Sequence, residues 1–216
     1  MTMNANDDDR IIPSPVRGNV TGVILAGGRG RRMGGVDKAL LVHQGQPLLA
    51  HALYRLTPQV AAVQISTARG EVLKGFEHPA LKWVADPLPD HPGPLVGLLA
   101  GLQGCVSPWM VSVPCDAPRL PLDLVRRLAQ GWAAQARTPG TRSGHAAVAG
   151  MAVNGSLRME PAFALLHRSC APSLEAAILA GERALHRWLH SLDAVTVPFD
   201  DHAAFFNVNT PQDLQP

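Results

Sequence analysis

Residues 20–26, Val-Thr-Gly-Val-Ile-Leu-Ala, form a short apolar, β-branched run that stops abruptly at Gly27 and Gly28. A run this short, rich in branched side chains, suits a buried strand better than a helix. The next residues narrow the fold further. Residues 25–38 read Leu-Ala-Gly-Gly-Arg-Gly-Arg-Arg-Met-Gly-Gly-Val-Asp-Lys, with five glycines and four cations. Glycines let backbone N–H groups converge on phosphate oxygens, and Arg and Lys neutralise the charge. A loop of this kind after a buried strand belongs at the carboxyl edge of an open α/β sheet, where such folds bind ligands.

The rest of the chain supplies the layers. Apolar residues recur at helical spacing over 47–56, with Pro47 tolerated in a first turn. Strand-like runs come next at 60–65, 81–85 and 109–113, and helical segments lie after Arg69, over 95–102 and over 121–129. That alternation predicts a mostly parallel sheet covered on both faces. In the last third, runs 146–153 and 157–166 flank Asn154-Gly155, a dipeptide suited to a type I′ hairpin turn, so an antiparallel insertion or edge is expected. Helices over 173–180, closed by Gly181, and over 183–192 precede a strand at 195–199, and Thr210-Pro211 starts a terminal helix. The expected fold is a three-layer, Rossmann-like α/β architecture: a mostly parallel sheet, helices on both faces, and a small antiparallel element in the C-terminal third. Residues 1–19, polar and then punctuated by Pro13 and Pro15, read as a loose tail, and 20–216 as one domain.

Composition removes several function classes. A net charge of +2 provides no diffuse field for a nucleic-acid backbone, so no nucleic-acid partner is expected. No apolar stretch approaches the ~20 residues that span a bilayer, and the start of the chain, with Asp7, Asp8 and Asp9, lacks the pattern of a signal peptide. Cys105, Cys115 and Cys170 are an odd number without Cys-x-x-Cys spacing, which indicates neither a disulfide framework nor a zinc knuckle. A cytoplasmic monomer without a membrane partner is the expectation. His186 and His190 lie four apart on a helical segment but have no third ligand nearby, so surface or capping roles are the simpler reading.

The glycine loop matches neither of its familiar relatives. Gly28-Arg29-Gly30 begins a Gly-x-Gly-x-x-Gly fingerprint, but Met33 occupies its last place, and Lys38 is followed by Ala39 where a phosphate-binding loop needs Ser or Thr. A second feature is Val113-Pro114-Cys115-Asp116-Ala117-Pro118, where a strand ends in a carboxylate on the same expected edge as the loop. Mg²⁺ is commonly held by one or two carboxylates together with phosphates and waters. Asp86, closing the strand at Trp83, is placed to join the same cleft. Proximity of Lys38 to Asp116 is therefore the geometric condition on which a phosphate site depends.

Taken in order, these blocks resemble the molybdenum cofactor guanylyltransferases, within the larger group of nucleotidyltransferases. Leu25-Ala26-Gly27-Gly28, Arg32-Met33-Gly34-Gly35 and Asp37-Lys38 are similar to the nucleotide signature. Asp86, Gly93-Pro94-Leu95 with Gly97, and Pro114-Cys115-Asp116-Ala117-Pro118 are similar to the next blocks, and Asn207-Val208-Asn209-Thr210-Pro211 to the last. The resemblance implies transfer of GMP from GTP to the terminal phosphate of molybdenum-bound molybdopterin. It implies Mg²⁺ as cofactor and transient contact with cofactor-insertion proteins or molybdoenzymes. It places Leu25, Ala26, Gly27, Gly28, Lys38, Ser66, Asp86 and Asp116 around the nucleotide, Asp116 on the metal, and Asn207 and Asn209 toward the pterin. Arg32, Lys38 and Asp116 would be catalytic. Ser66 departs from the Asn that often reaches the nucleotide, and Ala184 follows Arg183 where a second basic residue is usual. Glu160-Pro161 reads either as a cofactor contact or as a plain strand edge. The competing readings are a cytidylyltransferase for the same pterin, a sugar-phosphate nucleotidyltransferase, and a non-catalytic GTP-dependent cofactor carrier; Gly27-Gly28 speaks against the first two, whose members usually show Ala-Gly there.

Overall fold

A computed structural model describes residues 15–27, 37–67, 81–84, 93–138 and 145–214. Its centre is a seven-stranded sheet. The strands are β1 (Val20–Leu25), β4 (Ala62–Ser66), β5 (Leu81–Val84), β6 (Trp109–Pro114), β7 (Ala146–Val153), β8 (Ser156–His167) and β9 (Val195–Phe199), in the order β5-β4-β1-β6-β8-β7-β9. Neighbours pair in parallel except at β8, which is antiparallel to both β6 and β7. The antiparallel element is thus an insertion within the sheet, and β9 forms the edge beyond it. A separate pair, β2 (Val42–His43) and β3 (Gln46–Pro47), turns at Gln44 and Gly45, whose φ angles are 49° and 78°.

Period-two alternation distributes the strand side chains between two cores. Val20 and Ile24 of β1, Trp109, Val111 and Val113 of β6, and Ala147 and Ala149 of β7 face the helices α1 (Leu48–Leu56) and α3 (Leu124–Ala136). Val23, Met110, Ala146 and Val148 face the other way, toward α2 (Pro94–Gly104), α4 (Ala171–Leu179) and α5 (Leu185–Ser191). Helix α2 is apolar around most of its circumference because it lies between the sheet and α4. Gly101 is what lets it lie that close: a Cβ there would sit 2.9 Å from both methyl carbons of Val23.

Most expected elements form with the expected type, with shifts of a few residues at their ends, but the β2–β3 ribbon takes Pro47 from the start of the expected helix, and the segment after Thr210 is a short 3₁₀ turn, Pro211–Leu214. The hairpin at Asn154-Gly155 forms with φ angles of 49° and 79°, as a two-residue turn of the primed class requires. Helix α3 starts at Leu124, three residues later than its apolar pattern suggests, and runs on to Ala136. The Gln59 side chain sets that start by accepting a hydrogen bond from Val125 N at 3.0 Å. The helix expected after Arg69 lies outside the described residues.

Candidate active site

Three strand ends meet at one edge of the sheet. The Ala26 N–H donates to the Ser66 carbonyl at 2.8 Å, and the Cys115 N–H donates to the Leu25 carbonyl at 3.1 Å. The first pair ties the end of β1 to β4 and the second ties it to β6, so Leu25, Ala26, Ser66 and Asp116 converge as the strand order demands. Gly27 opens outward: a Cβ there would meet nothing within 4 Å, which leaves its backbone approachable. Ser66 is buried, and its hydroxyl lies 2.7 Å from the position of a Cβ on Gly97, so it packs under α2. Gly28 and Arg32 in the loop, and Asp86 beyond β5, lie outside the described residues.

Lys38 organises what lies beside that edge. Asp37 Oδ1 accepts from Ala39 N at 3.0 Å and so caps the short 3₁₀ turn Lys38–Leu40, which sets the lysine's direction. The Lys38 ammonium then donates to Asp116 Oδ2 at 2.8 Å, to Asn209 Oδ1 at 2.8 Å and to the Val208 carbonyl at 3.1 Å. Three donors meet three acceptors, and the Lys38 and Asp116 side chains are only 18% and 15% exposed. The segment carrying the asparagines is fixed from its other side as well, because Val208 N donates to the Asp116 carbonyl at 2.9 Å. Lys38, Asp116 and Asn209 are therefore one cluster, assembled from positions 78 and 171 residues distant from the lysine. Asn207 has a buried side-chain oxygen without a hydrogen-bond partner among the described residues.

Asp213 belongs to this cluster and was not singled out from the sequence. Its Oδ2 accepts from Asn209 N and Thr210 N, each at 2.8 Å, and those bonds hold its carboxyl below the usual carboxylate range. Thr210-x-x-Asp213 is the spacing of a capping box, so the signal was present in the sequence. Cys115, beside Asp116, is buried; burial above all, then the Asp116 and Asp37 carboxylates, push its thiol far above the range in which a thiolate forms. It is a core residue. Arg183 is structural, because its guanidinium donates to the carbonyls of Ile178 and Glu182 and closes the end of α4. Trp188 is buried and donates to Ser173 Oγ at 3.4 Å, as a packing residue does.

The arrangement suits the binding of a polyanion. An open glycine backbone, an ammonium and a carboxylate at the carboxyl edge of a parallel sheet can grip a phosphate chain and share a cation with it. Comparison with known proteins places the chain in a family. The model of the MobA-like NTP transferase domain matches residues 22–195. A molybdenum cofactor guanylyltransferase from Bordetella petrii is 45% identical over 197 residues, covering 91% of this chain and 96% of that protein. Another from Cupriavidus taiwanensis is 43% identical over 199 residues, covering 92% and 96%. Among solved structures, molybdopterin-guanine dinucleotide biosynthesis protein A from Archaeoglobus fulgidus superimposes with a TM-score of 0.70 at 26% identity, covering 90% of this chain and 94% of that one.

Proposed function

The chain belongs to the MobA-like NTP transferase domain family, and from that premise we propose that it transfers GMP from GTP to the terminal phosphate of molybdenum-bound molybdopterin, releasing pyrophosphate. The observation that carries the catalytic part is the 2.8 Å pairing of Lys38 with Asp116 at the edge where β1, β4 and β6 end. The guanylyl specificity rests on the named relatives.

The acceptor brings its own nucleophile. A terminal phosphate has a second ionisation near ~6 and is largely dianionic at neutral pH, so no protein base is needed. One of its oxygens bonds to the α-phosphorus of GTP while the bond from that phosphorus to the bridging oxygen breaks, and both electrons leave with pyrophosphate. The protein has to hold two anions together and stabilise the charge that leaves. In this reading the Gly27-Gly28 backbone approaches the phosphates, with Leu25, Ala26, Ser66 and Asp86 around the nucleoside. Lys38 and Arg32 carry the cationic charge, and Asn207 and Asn209 face the acceptor.

The residues present fit a Mg²⁺ ion. Asp116 offers a hard carboxylate, and Asn207 offers an amide oxygen that is buried without a hydrogen bond among the described residues, one residue from the Val208 N–H that meets Asp116. When bound, the ion would neutralise triphosphate charge and polarise the α-phosphoryl group.

Turnover decides between these readings. Incubation with GTP, Mg²⁺ and molybdenum-bound molybdopterin is expected to release pyrophosphate, and GTP is expected to raise the melting temperature more than CTP, ATP or UTP. Preferential stabilisation by CTP would overturn the base assignment; GTP binding with no pyrophosphate would mark a carrier instead of an enzyme.

A further inference from the structure

Strand β8 changes register in mid-course. Ala164 pairs with Val148, yet the next pair joins Glu160 to Ala149, so residues 161–163 are looped out of the ladder. Pairing of β8 with β6 stops at Ser112 and Ala164. The bulge is gripped from both sides: Ser112 Oγ donates to the Ala162 carbonyl at 2.9 Å, and Phe163 packs edge-to-face on Phe205 at 4.8 Å. Phe205 closes the turn that leads into Asn207 and Asn209. The bulge therefore sits between the carboxyl half of β6, which ends just before Asp116, and the segment that carries the asparagines. Bulges gather beside active sites because they re-aim side chains.

Glu160 stands where the chain re-enters the ladder. Its carboxylate is partly buried, and among the described residues it has no hydrogen-bond or ion-pair partner. Burial raises its pKa, with Arg158 and His202 acting in the opposite sense. The carboxylates of the neighbouring cluster are each satisfied, Asp116 by Lys38 and Asp213 by two backbone N–H groups. A partly buried carboxylate with no donor among the described residues is unfavourable, and such a group beside a bulge that borders the Asp116 and Asn209 cluster is a candidate for ligand contact. Its flank is also informative. In the strand order, β8 lies on the far side of β6 from β1 and β4, the strands that end at the proposed nucleotide positions Leu25 and Ser66.

We propose that Glu160 is a specificity-determining residue of the acceptor subsite, where its carboxylate takes the paired N–H donors of a 2-amino-4-oxo heterocycle. A carboxylate has two oxygens side by side, and the ring N–H and adjacent 2-amino group of that edge present two donors side by side. Guanine carries the same edge, but Glu160 lies on the flank away from β1 and β4, which assigns it to the acceptor's ring system. The assignment rests on the guanylyltransferase reading above.

Steady-state pyrophosphate release by the full-length protein, with GTP, Mg²⁺ and molybdenum-bound molybdopterin, tests it in Glu160→Gln and Glu160→Ala. The acceptor KM should rise about tenfold or more, the size of a lost charged hydrogen bond, with the GTP KM and kcat within about twofold of wild type. Both variants should keep a cooperative melt and the stabilisation by GTP. An unchanged acceptor KM in both variants overturns the assignment while leaving the enzyme reading intact. A GTP KM raised as much as the acceptor KM would place the edge on guanine and overturn it too, as would loss of the cooperative melt in the isosteric Gln variant, which would make Glu160 a structural anchor. A wild-type protein without turnover would overturn the guanylyltransferase reading and this assignment with it.

Discussion

Lys38→Met removes the ammonium while keeping an unbranched stem of similar length, so it isolates what the charge does. Three bonds are lost, to Asp116 at 2.8 Å, Asn209 at 2.8 Å and the Val208 carbonyl at 3.1 Å. Each charge-assisted bond contributes roughly 1.5–3 kcal/mol net when well buried. Because Lys38 and Asp116 are 18% and 15% exposed, water takes over part of that role, and the sum falls to about 2–4 kcal/mol. For a chain of this size about 1 kcal/mol moves the melting temperature by roughly 2–4 °C, so a fall of about 4–16 °C is expected in the nucleotide-free protein. Adding Asp116→Asn removes the carboxylate left without its cation, and the double variant should be less destabilised than the two single changes added together, by about 1–2 kcal/mol. Urea unfolding of the four proteins measures that coupling, and pyrophosphate release should fall at least about 100-fold in both single variants. Additive stabilities together with near-normal turnover in Lys38→Met would refute the view that this ammonium organises the site.

Two other perturbations test the frame and its pH response. Gly131 of α3 faces Val197 of β9 so closely that a methyl group would overlap the Val197 side chain; Gly131→Ala should cost about 1–3 kcal/mol in urea unfolding and leave the KM for GTP unchanged. His167 accepts the Ser169 N–H at its Nδ1, and burial first, then His145 and Arg168, lower its pKa from about 6.5. The unfolded chain then binds the proton more tightly than the folded one. The contribution of neutral His167 is complete above about pH 6.5 and is lost as pH falls through the lowered value. Melting temperature should therefore drop below pH 6.5, and His167→Gln should flatten that part of the curve; an identical profile in the variant removes His167 from the acid response.

Much of the site was legible because it lies in contiguous blocks. Leu25 to Gly27 lie at the end of a strand whose period and length can be read directly, Asp116 lies just past the end of another, and Asn207 to Thr210 form a third block. The parallel sheet followed from alternation, and the hairpin from Asn154-Gly155, where the backbone adopts the positive φ angles the dipeptide favours. What escaped were roles set by partners distant in sequence. Ser66 comes to the nucleotide only through the family resemblance, and whether its hydroxyl points toward the nucleotide or under α2 depends on the approach of Gly97. The role of Arg183 has no local signature, because its guanidinium serves the Ile178 and Glu182 carbonyls at and just after the end of α4. Asp213 carried a capping signal, yet its second bond, to the Asn209 N–H, required the actual turn.

Local order in this chain, the alternation of strands and helices, is written in side-chain periodicity and turn residues, since those act over a few positions. The meeting of Lys38 with Asp116 and Asn209, and the looped-out residues that set Glu160 in place, were decided only when the sheet assembled. Strand order and register join residues that no local pattern links, and it is packing of the whole that selects them.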